Sequence, residues 1–134
     1  MKKIGRKTET ADFFAKQGKH VLIPTRFNTP QCKDYQEVYA VLKGTEYWSK
    51  NPDLWIDGNF YEHEGYTTDN PKNALRNMLK HGLEQSDKVV IESPMLPDSY
   101  ILSRIYKRIE ELNANISEVW IKEGKKFRLI YQKK

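Results

Sequence analysis

The stretch Pro52-Asp-Leu-Trp-Ile-Asp-Gly-Asn-Phe-Tyr-Glu-His-Glu64 decides how this chain is read. Two strand-like runs, 53–57 and 60–64, flank Gly58-Asn59. Gly and Asn tolerate positive φ, so the segment predicts a β-hairpin. Successive side chains on a strand alternate in direction, which sends Glu62 and Glu64 to one face and His63 to the other.

Downstream, Asn70-Pro71 opens a predicted helix, with Asn70 as N-cap and Pro71 in the first turn. Ala74, Leu75, Met78, Leu79 and Leu83 follow at helical spacing. Lys88-Val-Val-Ile-Glu92 reads as a compact central strand. Asp98 is expected to cap another helix, in which Ile101, Leu102, Ile105, Ile109 and Leu112 face the core while Arg104, Lys107 and Arg108 lie off that stripe. Residues 118–121 and 127–131 flank Glu123-Gly124-Lys125 as a second hairpin. Upstream, a helix is expected over Thr8–Gln17, capped by Thr8, stopped by Gly18 and apolar at Ala11, Phe14 and Ala15. A short strand His20–Pro24 follows. Segment 26–51 is rich in turn formers around one candidate helix at 34–42. The order implies an α/β domain, a mixed central sheet flanked by helices, spanning 1–134 without repeat or linker.

Composition narrows the classes. A chain of 134 residues buries enough surface to need no staple. Its single Cys32 can form no internal disulfide, and no Cys/His cluster has zinc spacing, which fits a reducing, cytoplasmic setting. The basic N-terminus lacks the apolar run of a signal peptide, no stretch is long and apolar enough for a membrane span, and the initial Met1 suggests a complete chain. P-loop, dinucleotide and nucleophile-elbow motifs are absent, and Cys32 has no evident His partner. The net charge of +5 is uneven. Lys2, Lys3, Arg6 and Lys7 open the chain, and residues 103–134 hold nine Lys/Arg against four Glu, leaving an acidic middle. A basic periphery around an acidic centre suits a protein that attracts a phosphate backbone and holds a divalent ion, although solvated basic ends explain it equally.

The carboxylates carry the candidate chemistry. Asp53, Glu62 and Glu64 are the catalytic candidates, and Asp53, Glu62 and Glu9 the metal ligands. Hard ions such as Mg2+ take oxygen ligands and keep several waters. The bland alternatives are strand-end and turn roles for Asp53 and Asp57, a solvated hairpin face for Glu62 and Glu64, and helix-dipole stabilisation by Glu9. His63 reads as a packed or surface histidine. Trp48, Trp55 and Trp120 read as core residues before base-stacking ones. Arg104, Lys107, Arg108, Lys125, Lys126 and Arg128 are either a solvated face or a nucleic-acid-binding surface.

Four segments in order resemble the PD-(D/E)XK (restriction-endonuclease-like) superfamily, and within it the tRNA-nuclease C-terminal domain of CdiA-type contact-dependent growth inhibition toxins. They are the helix from Glu9 to Gly18 with its following strand, the hairpin from Pro52 to Glu64, the segment from Leu79 to Ile91 including Gln85, and the hairpin from Glu118 to Lys125. Together they cover most of 8–132, with 26–51 as a poorly matched insertion. The resemblance implies a metal-dependent endonuclease in which Asp53 and Glu62 bind Mg2+ and RNA, tRNA above all, is hydrolysed. It also expects Lys where this chain has Glu64, and Lys72 or Lys80 is a candidate replacement. The departure keeps open a catalytically degenerate member that binds nucleic acid or a cognate protein partner without cleavage. A small accessory protein of a mobile element is a third reading.

Overall fold

The computed structural model describes the backbone of residues 2–134 except Thr25, Asn28 and Thr67, and the side chains from Lys7 onward apart from those three. Six strands form one sheet in chain order, β1 (Val21–Leu22), β2 (Leu54–Ile56), β3 (Asn59–Glu64), β4 (Lys88–Glu92), β5 (Glu118–Glu123) and β6 (Lys126–Gln132). The first two pairings and the last are antiparallel, while β3, β4 and β5 run parallel. The expected mixed sheet flanked by helices is therefore observed.

The two parallel steps are made by α3 (Pro71–Gln85) and α4 (Asp98–Leu112), both packed on one face. Parallel neighbours need such crossover helices, and like-handed crossovers in one direction put both on the same side. Their apolar positions Leu75, Met78, Leu79, Ile101 and Ile105 meet Val89, Ile91, Val119 and Ile121 in a fully buried layer. On the opposite face α1 (Lys2–Lys16) sets Phe14 against Leu54, Ile56, Tyr61 and Val90. A third cluster holds Tyr35, Tyr39, Leu42, Tyr47 and Phe60, so segment 26–51 has its own aromatic core around α2 (Lys33–Val38) and a 3-10 turn at Ala40–Leu42. Tyr35 and Tyr39 stack at 4.7 Å, one helical turn apart.

Several local expectations shift. The hairpin turn is Asp57-Gly58, with φ of 47° and 89°, and Asn59 already belongs to β3. A two-residue loop positive at both positions matches the right-handed twist of the strands, which is why Asp-Gly serves and Asn59 is released to pair with Ile56. Helix α1 begins at Lys2, so Thr8 lies inside it instead of capping it. Lys and Arg are good helix formers, and no proline interrupts the basic tract. Gly18 ends the helix with φ +83° as expected. The strand expected over His20–Pro24 contracts to two residues, since Pro24 has no N–H to donate. Asn70 does cap α3, accepting from the Asn73 amide at 3.1 Å. Asp98, in contrast, is the first residue of α4 behind Pro97, and its carboxylate takes Arg128 instead. On α4, Ile101 and Ile105 are fully buried, but Leu112 in the last turn is exposed and does not face the core.

Candidate functional site

The β2–β3 register places Leu54 against Tyr61, and the two carboxylates of interest stand at the next pair outward. They are locked by each other's strand. The Asp53 amide donates to Glu62 Oε1 at 3.1 Å, and the His63 amide donates to Asp53 Oδ2 at 3.0 Å. Both acids are 2% exposed. Burying carboxylates is costly unless charge and hydrogen bonds compensate. Two cations supply the charge: Lys7 Nζ from α1 and Arg26 Nη1 from the following loop, each 3.5 Å from Asp53 Oδ1. The Lys7 side chain is largely buried, whereas that of Arg26 is mostly open to solvent.

Asp57 has the bland role. It accepts from the His20 amide at 2.7 Å and ties the hairpin tip to β1.

Glu9 lies on α1 but does not join Asp53. It binds Lys122 Nζ at 2.9 Å, and Lys122, only 3% exposed, also donates to the Gly124 carbonyl at 2.7 Å. The hydrogen bond from Lys122 holds the Glu9 carboxyl below the usual range; burial opposes it, and the charges of Lys122, Lys125 and His63 add to the lowering. His63 is fully buried beside them, in register with Val90 on β4, which pairs in turn with Trp120. Glu92 pairs with Lys122 one step further along those strands.

Glu64 points to the other side. Its Cγ lies 3.1 Å from where a β-carbon on Gly82 of α3 would stand, so its stem is packed against α3. The predicted sharing of a face by Glu62 and Glu64 follows the pleat, but Glu9 and Glu64 flank opposite faces of the sheet. The structure thus brings Asp53 and Glu62 together, sets Glu9 against Lys122, and packs the stem of Glu64 against α3. Among the described residues no group of three or more His, Cys, Asp or Glu is arranged to hold a metal ion.

Of the lysines considered as replacements, Lys72 sits over the Tyr100 ring at 5.3 Å and Lys80 is exposed on α3. Among the described residues, the lysine beside Asp53 is Lys7. A signal for it was present: Lys7, Ala11 and Phe14 recur at helical spacing, so a helix begun before Thr8 puts Lys7 on the sheet-facing stripe.

The six predicted nucleic-acid-binding residues do not form one surface. Arg104, Lys107 and Arg108 line a cleft between α3 and α4. Arg128 is engaged by Asp98 at 2.8 Å and Glu123 at 3.2 Å, and the Asp98 hydrogen bond raises its pKa above the ordinary value. Lys125 lies on the α1 side of the sheet with Glu9, Asp12 and Lys16, and Lys126 is exposed opposite Glu123 at the hairpin end. Trp48, Trp55 and Trp120 are half-buried; Trp120 gives its indole N–H to Glu118 at 2.9 Å.

Residues 50–127 match the family model of the contact-dependent growth inhibition CdiA C-terminal domain. The match runs from just before Asp53 into β6, and includes Glu62 and Glu64 but not Lys7 or Glu9. Neither a curated protein nor a solved structure matches the chain.

Proposed function

The chain belongs to the contact-dependent growth inhibition CdiA C-terminal domain family, and on that premise we propose that it is a metal-dependent endonuclease of restriction-endonuclease-like, PD-(D/E)XK architecture. Its substrate on this reading is RNA before DNA, and tRNA foremost, met in the cytoplasm. One observation carries the proposal: two buried acids side by side, Glu62 accepting from the Asp53 amide and Asp53 from the His63 amide, with a lysine ammonium 3.5 Å from Asp53.

The donor set fits magnesium in a sparse form. Mg2+ keeps several waters and is commonly bound through one or two carboxylates, so Asp53 and Glu62 suffice without Glu9 or Glu64. Such an ion, when bound, polarises a phosphoryl oxygen and lowers the pKa of a coordinated water. Lys7 takes the part that the resemblance gives to a lysine at position 64: its ammonium offsets charge on the phosphate and orients the attacking water. Arg26, reaching Asp53 from the solvent side, meets the incoming phosphate.

The test is incubation of the purified chain with total tRNA and with DNA, in magnesium or manganese, beside an Asp53→Ala/Glu62→Ala variant. Metal-dependent cutting lost in the variant supports the proposal; no cutting by the unaltered chain in either metal overturns it. A second reading, binding to nucleic acid or a cognate protein without cleavage, is favoured by Glu64 and by the two cations that already neutralise Asp53. Salt-dependent RNA binding without cleavage, with a Glu64→Lys variant that begins to cut, is its expected signature.

A further inference from the structure

Helices α3 and α4 lie side by side on the sheet, and the cleft between them is lined by five cations. Lys72 and Arg76 stand one turn apart on α3; on α4 Arg104 stands one turn before the adjacent Lys107 and Arg108. Leu75 and Leu79 line it as well, and its volume is about 280 Å3. The single acid on its walls, Glu111, faces Lys107 at 4.0 Å. Arg108 donates to the Arg76 carbonyl at 3.2 Å, which fixes one guanidinium at the α3 backbone. Burial and repulsion by Arg104 and Arg76 pull the Arg108 pKa down. Such an arrangement works against folding: like charges crowd one another, and one is partly stripped of water.

We infer that the α3–α4 cleft is a binding site for the phosphate backbone of an RNA strand, separate from the Asp53–Glu62 centre. An anion relieves the repulsion among Arg76, Arg104 and Arg108, and the planar guanidinium matches phosphate geometry. The cations form two rows along the helix axes, a linear array of charge that suits a linear polyanion better than one compact phosphate. None of the lining residues belongs to α1, β2 or β3, so the cleft holds the strand and does not cut it. The choice of RNA as ligand rests on the proposed function; the charge array does not.

The experiment measures binding without cleavage. A 2′-O-methyl RNA is titrated with the full chain in chelator, by fluorescence anisotropy, over a series of salt concentrations. For Arg76→Glu/Arg104→Glu, removing two phosphate contacts is expected to weaken binding about tenfold or more and to flatten the slope of log affinity on log salt by about 1.4. The melting temperature of this variant should stay level or rise, since repulsion is relieved. Binding with unchanged affinity and slope by a variant that melts like the unaltered chain overturns the inference. So does displacement of the RNA by inorganic triphosphate at equal phosphate concentration, which reassigns the cleft to a small polyphosphate. Independently of any variant, Arg76 and Arg104 should be protected from phenylglyoxal in the RNA complex of the unaltered chain, and equal modification with and without RNA also overturns it. With metal absent and the strand uncleavable, failure here leaves the Asp53–Glu62 proposal untouched.

Discussion

Replacing Glu9 by Ala separates a structural tie from a metal ligand. Lys122 is 3% exposed, and its ammonium has two partners, Glu9 Oε1 at 2.9 Å and the Gly124 carbonyl at 2.7 Å. Removing one partner of a fully buried ion pair costs about 3–5 kcal/mol, because a charge is left without compensation. The Glu9 side chain is 37% exposed, so water can replace it at the ammonium and the cost is discounted to about 1–2 kcal/mol. For a chain of this size that lowers the melting temperature by roughly 3–8 °C. Lys122→Met removes the buried charge and keeps the stem, leaving Glu9 free to hydrate; it should cost less than about 1 kcal/mol and in the double variant cancel most of the Glu9→Ala loss. Denaturant melts of the single and double variants supply the cycle. The Glu9 contribution also has a pH signature. Its folded-state pKa is depressed, so the stabilisation is present above the unfolded value of about 4.3 and fades as pH falls through the lower folded value. If Lys122→Met proves worse than Glu9→Ala, or if Glu9→Ala leaves stability unchanged at neutral pH while abolishing metal-dependent cutting, the tie is wrong and Glu9 returns to the metal.

Gly82→Ala sets two effects against each other: a mid-helix alanine gains about 1 kcal/mol in helix propensity, but its β-carbon would stand 3.1 Å from both Glu64 Cγ and Val89 Cγ1. Overpacking of about 1–3 kcal/mol against the stiff, buried Val89 should win, for a net loss near 1 kcal/mol in urea melts that Glu64→Ala partly recovers; a more stable Gly82→Ala would contradict the packing. The Tyr39 hydroxyl is pushed up to about 12, chiefly by burial, and Tyr61 is raised further by burial and its hydrogen bond to Glu118. These folded values lie above the unfolded one, so the stability they confer is complete below pH of about 10 and is lost as pH climbs through the folded values; ultraviolet titration should show phenolate appearing late and together with unfolding, and an ordinary early titration of all eight tyrosines would exclude it. Asp98→Ala breaks the forked contact with Arg128, but both side chains are half-exposed, so a loss of only about 0.5 kcal/mol is expected in the same melts, with more than about 2 kcal/mol ruling out a merely superficial pair.

The structure agrees with the sequence reading where short-range physics decides. The Asn70-Pro71 helix start, the Gly18 stop, the Lys88–Glu92 strand and both hairpins follow from caps, turns and periodicity within a few residues. Agreement is weaker where two local patterns compete. The basic opening of the chain reads as a solvated end ahead of a helix at Thr8, yet Lys7 repeats with Ala11 and Phe14 at helical spacing and the helix begins at Lys2. In segment 26–51 the candidate helix at 34–42 is present as α2 and the 3-10 turn, but the core that Tyr35 and Tyr39 build with Phe60 has no local trace beyond their one-turn spacing.

What the amino-acid order settled unaided is the inventory of elements, the layer they form, and the pairing of Asp53 with Glu62, because a hairpin brings its own two strands into register. Which cation meets which acid belonged to the tertiary structure. Lys7 reaches Asp53 and Lys122 reaches Glu9 because α1 docks on one face of the sheet, and Arg76 faces Arg108 because α3 and α4 lie side by side on the other. Residues far apart in the chain carry no local trace of such meetings: each side chain's periodicity states which face it occupies, and only the packing of whole elements states what lies across from it.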